Sequence, residues 1–171
     1  HSGNLRVRLD PGITGHPEAI EIEMRSEGRP DRIGLQIDVA NFGASAGGEI
    51  QNPFDQPVWD IEYSVRPYLW PLEDSEEFVE LRDLSVRSSG SLPEYSMSAT
   101  GDIHVPGMSW LSVAVEGAGN QNSFTAAMLR ADGADLEASG TARVAWAAEP
   151  ILETSMTIAR VDPQFLMPAW P

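Results

Sequence analysis

Strict alternation of apolar and polar residues recurs along the whole chain and restricts its fold more than any other feature. Successive side chains of a β-strand point to opposite sides, so a period of two is what a strand with one covered face requires. Leu5, Val7 and Leu9 alternate with Arg6, Arg8 and Asp10, and Ile20, Ile22 and Met24 alternate with Glu21, Glu23 and Arg25. The pattern returns in Ile33, Leu35, Ile37 and Val39, in Trp59, Ile61, Tyr63 and Val65, and in Tyr95, Met97 and Ala99. It appears again in Leu111, Val113 and Val115, in Ala142, Val144 and Trp146, and in Thr154, Met156 and Ile158. Turn signals at Asp10-Pro11-Gly12, Glu27-Gly28-Arg29-Pro30, Ser88-Ser89-Gly90, Pro106-Gly107 and Asp132-Gly133 divide these runs. The spacing predicts an all-β chain of roughly ten to thirteen antiparallel strands joined by hairpins. Asp162 before Pro163 suits an N-cap and first helical position, which predicts one short helical turn over residues 162–167.

The length of 171 residues and the 42% hydrophobic content suit one domain with a sizeable apolar interior. Lys and Arg total 11 against 26 Asp and Glu, and the net charge of −15 repels phosphates, so no nucleic acid is expected as a partner. Most acids are interleaved with apolar residues, as on a solvated strand face, with one dense cluster at Glu73, Asp74, Glu76 and Glu77. The absence of cysteine rules out disulfides, thiolate metal sites and cysteine nucleophiles. No apolar run reaches the roughly 18 residues of a membrane-spanning helix. A start at His1-Ser2 and a stop at Ala169-Trp170-Pro171 suggest a fragment of something larger, with any anchor or targeting signal outside it.

Candidate chemistry is sparse. Gly43-Ala44-Ser45-Ala46-Gly47 matches G-x-S-x-G, but Gly48-Glu49-Ile50-Gln51-Asn52-Pro53 follows where a nucleophile elbow needs a helix, so a small-residue turn or bulge is expected there. His1, His16 and His104 form no ligand pair, and His104 is expected as an exposed strand-end residue. Neither the Glu73 to Glu77 cluster nor Asp132-Gly133-Ala134-Asp135 has the ligand alternation of a calcium loop. Trp59, Tyr63, Tyr95 and Trp146 fall in phase with aliphatic neighbours and belong to a core or a groove, whereas Trp70, Trp110 and Trp170 stand near prolines and turns, where an aromatic often plugs the end of an apolar layer. The chain is therefore expected to have no catalytic residue, metal or cofactor.

Residues 48–71 and 140–168 echo each other, with Pro57 and Pro150 equivalent and Trp59, Ile61, Tyr63 and Val65 matching Leu152, Thr154, Met156 and Ile158. The echo suggests repeat units of roughly 1–77 and 78–171 and favours an elongated, solenoid-like sheet over a closed sandwich. Ten strands of about five residues give an apolar face of roughly 48 by 16 Å, about 770 Å². That exceeds the roughly 300–600 Å² of the largest patch on an ordinary monomer, so a second sheet, curling or an apolar ligand must cover it. A sheet curled lengthwise makes a trough that acyl chains fill without directional partners.

Three stretches carry a family resemblance: residues 84–92 with Tyr95, then Leu136, Ala138-Ser139-Gly140, Val144 and Trp146, then Asp162-Pro163, Leu166, Pro168, Trp170 and Pro171. In order and spacing they resemble the periplasmic repeat region of the TamB family, AsmA-like bridge proteins running from inner to outer membrane. The likeness covers residues 78–171 well and the first half only through its alternation and echo; Pro67-Tyr68 stands where the second half has Asp162-Pro163. Membership implies a taco-like, U-shaped antiparallel sheet with an apolar concave face, an inner-membrane anchor outside this fragment, and an Omp85-class (TamA-like) outer-membrane partner. It further implies phospholipid transfer between the membranes, or assembly of outer-membrane proteins and autotransporters with unfolded clients in the groove. On that reading the in-phase residues line the groove: Ile20, Ile22, Leu35, Ile37, Val39, Ile61, Tyr63, Val65, Leu84, Val86, Tyr95, Met97, Val113, Val115, Val144, Trp146, Met156 and Ile158. The alternatives are a scaffold that adds client strands at its edges, a closed β-sandwich binding module for protein or carbohydrate, and, most distantly, an esterase built on Ser45.

Overall fold

A computed structural model describes residues 2–9, 19–39, 43–65, 67–71, 78–146 and 150–161. Its twelve strands are β1 (Ser2–Leu9), β2 (Ile20–Arg29), β3 (Arg32–Val39), β4 (Ala44–Gln51), β5 (Val58–Val65), β6 (Tyr68–Pro71), β7 (Phe78–Ser91), β8 (Glu94–His104), β9 (Leu111–Asn120), β10 (Ser123–Gly133), β11 (Leu136–Ala145) and β12 (Ile151–Val161). They form one antiparallel sheet in the order β1-β2-β3-β4-β5-β7-β8-β9-β10-β11-β12, with β6 paired to the extra length of β7 beside the end of β5. The sheet is open, since β1 and β12 are its two edges and do not pair with each other. This overturns the closed-sandwich alternative: among the described residues no second sheet covers the first. The fold is an elongated, curled sheet, as the alternation and the family resemblance imply. The helical turn expected over residues 162–167 lies outside the described residues, as do His1, His16 and the Glu73 to Glu77 cluster.

The pairing register turns alternation along each strand into continuous rows across the sheet, because residues directly opposite in an antiparallel pair share a face. One row runs Leu5-Met24-Ile37-Ala46-Tyr63-Val86-Ala99-Val115-Leu129-Gly140-Met156. A second runs Ile33-Ile50-Trp59-Gly90-Tyr95-Gly119-Phe124-Val144-Leu152. The opposite face is as consistently polar, for example Arg6-Glu23-Asp38-Ser45-Ser64-Ser85-Thr100. Among the described residues there is only one layer, and nothing in them seals the apolar side. Their buried apolar residues are the small Ala44, Ala126 and Ala138 together with Leu111, and none of their side chains is fully buried.

Register shifts fall between Arg82 and Ser85 on β7, between Ala126 and Leu129 on β10, and between Glu137 and Ala138 where β11 meets β12. Each inserts an unpaired residue that bends the strand and raises its twist, which is how an open sheet acquires curl. Asp83, inside the first shift, has φ of 50°.

Two expectations about turns are corrected. Gly43-Ala44-Ser45-Ala46-Gly47 is no turn or bulge: from Ala44 it forms the regularly paired strand β4. Its small side chains hide an alternation that the backbone still follows. Ser88-Ser89-Gly90 lies inside β7, and the reversal into β8 comes at Leu92-Pro93. The same composition serves a turn or a strand crowded by large cross-strand neighbours, and Gly90 faces Trp59 on one side and Tyr95 on the other.

Candidate functional site

The apolar face is the candidate site. All the in-phase positions fall on it. Ile20, Ile22, Leu35, Ile37, Val39, Ile61, Val65, Leu84, Val86, Tyr95, Met97, Val113 and Val115 are half-buried there, and Tyr63, Val144, Trp146, Met156 and Ile158 are exposed. Trp146 stands just beyond β11 at the rim, where its backbone N–H donates to the Asn122 carbonyl and its indole Nε1–H donates to the Gln121 carbonyl at 2.8 Å. On the edge strands β1 and β12, Leu5, Leu152, Met156 and Ile158 are open to solvent because they lack a neighbouring strand on one side.

One wall of the groove is aromatic. Trp59 and Tyr95 have ring centroids 5.9 Å apart, and Tyr95 stacks on Phe124 at 6.3 Å. Glycines on the intervening strands make room for the rings. A Cβ on Gly90 would lie 2.6 Å from the Tyr95 Cα, and one on Gly119 would lie 2.6 Å from the Tyr95 hydroxyl. The Trp59 indole Nε1–H donates to Ser88 Oγ at 2.9 Å, so that donor is satisfied on the apolar face itself. The other wall is aliphatic, with Val65, Leu84, Ile103, Leu111 and Val113. Between them the floor over β9 to β11 is small: Gly117, Ala126, Ala131, Ala138, Gly140 and Ala142.

The candidate list omits Phe124, Ala126, Leu129 and Ala131, all of which share the face. The shift within β10 puts Phe124 and Ala126 in one phase and Leu129 and Ala131 in the other, so neither half is long enough to show alternation. Two short patterns offset by one residue were the available signal. Ile50 went unnoticed because its strand neighbours are Gly47, Gly48 and Glu49.

Charge is confined to the opposite face, where every arginine among the described residues lies. Arg87 reaches Asp60 across β5 and β7 through two hydrogen bonds, of 2.9 and 3.2 Å, which raises the guanidinium pKa further. Glu23 is held below the usual carboxylate value chiefly by its hydrogen bond to Arg25, helped by Arg6 and Asn4. Trp110 sits on this side too, under the Arg82 guanidinium at 4.2 Å and beside His104 at 5.2 Å. It therefore packs with polar-face residues and does not plug the apolar layer, and His104 is half-buried against it and not a free strand-end residue. Ser45 also faces outward, its hydroxyl 3.0 Å from that of Ser64. Among the described residues no group of three or more His, Cys, Asp or Glu side chains is arranged to hold a metal ion, and no helix is long and apolar enough to cross a membrane.

The geometry explains the family motif on β11: Leu136, Ala138, Gly140 and Val144 are the inward phase of that strand, and Trp146 follows just beyond its end. No curated protein and no solved structure matches the chain. The family model described as TamB, N-terminal domain, matches residues 46–171, reaching back through β4 and β5 as well as the second half. With most of its length covered by that match, the chain belongs to the TamB family.

Proposed function

We propose that this chain is a periplasmic segment of a bridge anchored in the inner membrane, and that its apolar face carries phospholipid acyl chains toward the outer membrane. The observation that carries the reading is an apolar face eleven strands wide with no covering layer among the described residues. Each methylene withdrawn from water contributes about 0.8 kcal/mol, so an acyl chain is held without directional contacts. Because apolar rows repeat at about 4.8 Å along the groove, a chain that advances by one strand exchanges like surroundings for like. The gain stays nearly constant along the path, which suits passive sliding. In the full-length protein an Omp85-class partner receives the outer-membrane end.

Ile37, in the middle row of β3, is the place to test this. Ile37→Arg in the full-length protein is expected to block lipid transfer while far-ultraviolet circular dichroism keeps its strand signature. Undiminished transfer by the variant sinks the conduit. The exposed edges of β1 and β12 favour a second reading, in which unfolded outer-membrane clients add strands there. Photoreactive residues at Val86 or Val144 separate the two, capturing lipid in the first case and nascent outer-membrane protein in the second.

A further inference from the structure

Ser88 is the central hydroxyl of its row, whose other two, Ser26 and Thr154, lie out on β2 and β12. It lies on the apolar face between Ile61 and Met97, near the middle of the sheet. Its oxygen accepts the Trp59 indole proton at 2.9 Å, and that ring is itself positioned by Gly90 and by Tyr95 at 5.9 Å. A serine hydroxyl has one proton of its own to give, and among the described residues the Ser88 proton has no acceptor. Accepting from the indole polarises the O–H and makes it a better donor. Tyr63 on β5 and Tyr95 on β8 share this face, with the Tyr95 hydroxyl lying away from Ser88, over Gly119 on β9. No arginine among the described residues points to this side, and the net charge is −15, which disfavours a carboxylate or phosphate there. What suits a donor whose cross-strand neighbours are Ile61 and Met97 is an acceptor that is uncharged, carries no donor and is joined to hydrocarbon.

We propose that the Ser88 hydroxyl is a donor site for the ester carbonyl of an acyl lipid lying in the groove. The inference rests on the lipid reading and adds a point of registry to it: acyl chains slide along the rows, and their ester ends pause where β7 passes beneath Trp59. Ser88 acts as a positioning residue for the lipid, and Trp59 orients Ser88.

The test compares two phosphatidylcholines of equal chain length, one diacyl and one dialkyl-ether, each offered to the purified chain in vesicles with bound lipid quantified after re-isolation. Wild type is expected to retain the ester form about three- to tenfold over the ether, the ratio that one net hydrogen bond supplies. Ser88→Ala should lose the preference while keeping its strand spectrum, and Ser88→Thr should restore it. Equal retention of the two lipids by wild type, or a preference that survives Ser88→Ala, overturns the ester site and leaves the conduit standing. Retention of neither lipid overturns the ester site and the lipid reading together.

Discussion

The β2–β3 and β10–β11 hairpins belong to the same sheet and show the same two faces, yet they are built by opposite means. Inward on the first are Ile20, Ile22, Met24, Ser26, Gly28, Ile33, Leu35, Ile37 and Val39, paired from Ile22–Val39 to Arg29–Arg32 without a shift. Inward on the second are Phe124, Ala126, Leu129, Ala131, Ala138, Gly140, Ala142 and Val144, with a shift between Ala126 and Leu129. Bulk on a concave face resists curling, because side chains converge there as the sheet bends. In this second hairpin the inward residues shrink to alanine and glycine and the pairing shifts within β10, and there Ala126 falls to 3% exposure and Ala138 to 6%. The glycines follow the same division between faces. Inward Gly48, Gly90, Gly117 and Gly140 would each place a Cβ within 2.5 Å of a carbonyl oxygen, whereas outward Gly34 and Gly47 have 3.4 Å or more. Small size on the concave side is thus a requirement of close approach, and on the polar side it is incidental.

The sharpest way to break that comparison is to add a side chain on each face. Gly117→Val directs its Cβ to 2.2 Å from the Thr125 carbonyl and 2.9 Å from the Ala126 Cα, so the β9–β10 pairing must open. A loss of at least about 3 kcal/mol in urea denaturation is expected, while Gly47→Ala, with 3.9 Å of room, should stay within about 0.5 kcal/mol. Similar costs for both would mean that inward crowding does not shape the sheet. A smaller contrast concerns bulk. Ala138→Leu overfills the floor and should cost about 1–3 kcal/mol, whereas Ile22→Leu, which keeps volume, should cost less than about 1 kcal/mol. If Ala138→Leu is neutral, the floor has spare depth and its small residues do not set the curl.

The sequence shows this architecture wherever inward side chains are large and goes silent where they are not. Ile33, Leu35, Ile37 and Val39 announce β3 without help, because four branched or long side chains at a period of two have no helical reading. Strand β4 has the same backbone, but Ala44, Ala46 and Gly48 face inward against Ser45, Gly47 and Glu49, and so little contrast remains that it resembled a turn. Strand β10 failed for a different reason, since its bulge resets the phase halfway. The apolar face was legible from Ile37 or Val86, whereas Ser88 was hidden: Ser88-Ser89-Gly90 signals a turn until one knows that Trp59 lies across from Gly90 and reaches Ser88 diagonally. Rows are a property of pairing, and pairing is what a single strand's pattern leaves unstated.

The two halves also differ in how charge holds register, which gives the smallest expected effect. Arg6–Glu23, Arg8–Glu21 and Arg32–Glu49 tie neighbouring strands in the first part of the sheet, and Arg87–Asp60 ties β5 to β7. Further along, Arg82–Glu80 and Arg130–Asp132 lie within single strands, leaving Arg143–Glu153 to cross. Glu23 is the best partnered of these acids, with Arg25 at 3.2 Å and Arg6 at 3.3 Å, and its folded pKa is depressed below 4.5 first by the Arg25 hydrogen bond. A depressed carboxylate contributes stability that is present above its unfolded pKa and lost as pH falls through the folded one. Lowering the pH below about 4.5 should therefore weaken β1–β2 pairing before it weakens β10–β11, read as earlier loss of amide exchange protection in β2. In Glu23→Gln that difference between the hairpins should already be present at pH 7 and change little with acid. High salt should mimic the acid effect on the exposed pairs, because the screening length falls to about 3 Å at 1 M. If β10–β11 loses protection first, register in the first part of the sheet rests on its bulky inward row alone, and the outer ion pairs are decoration on a pairing already decided.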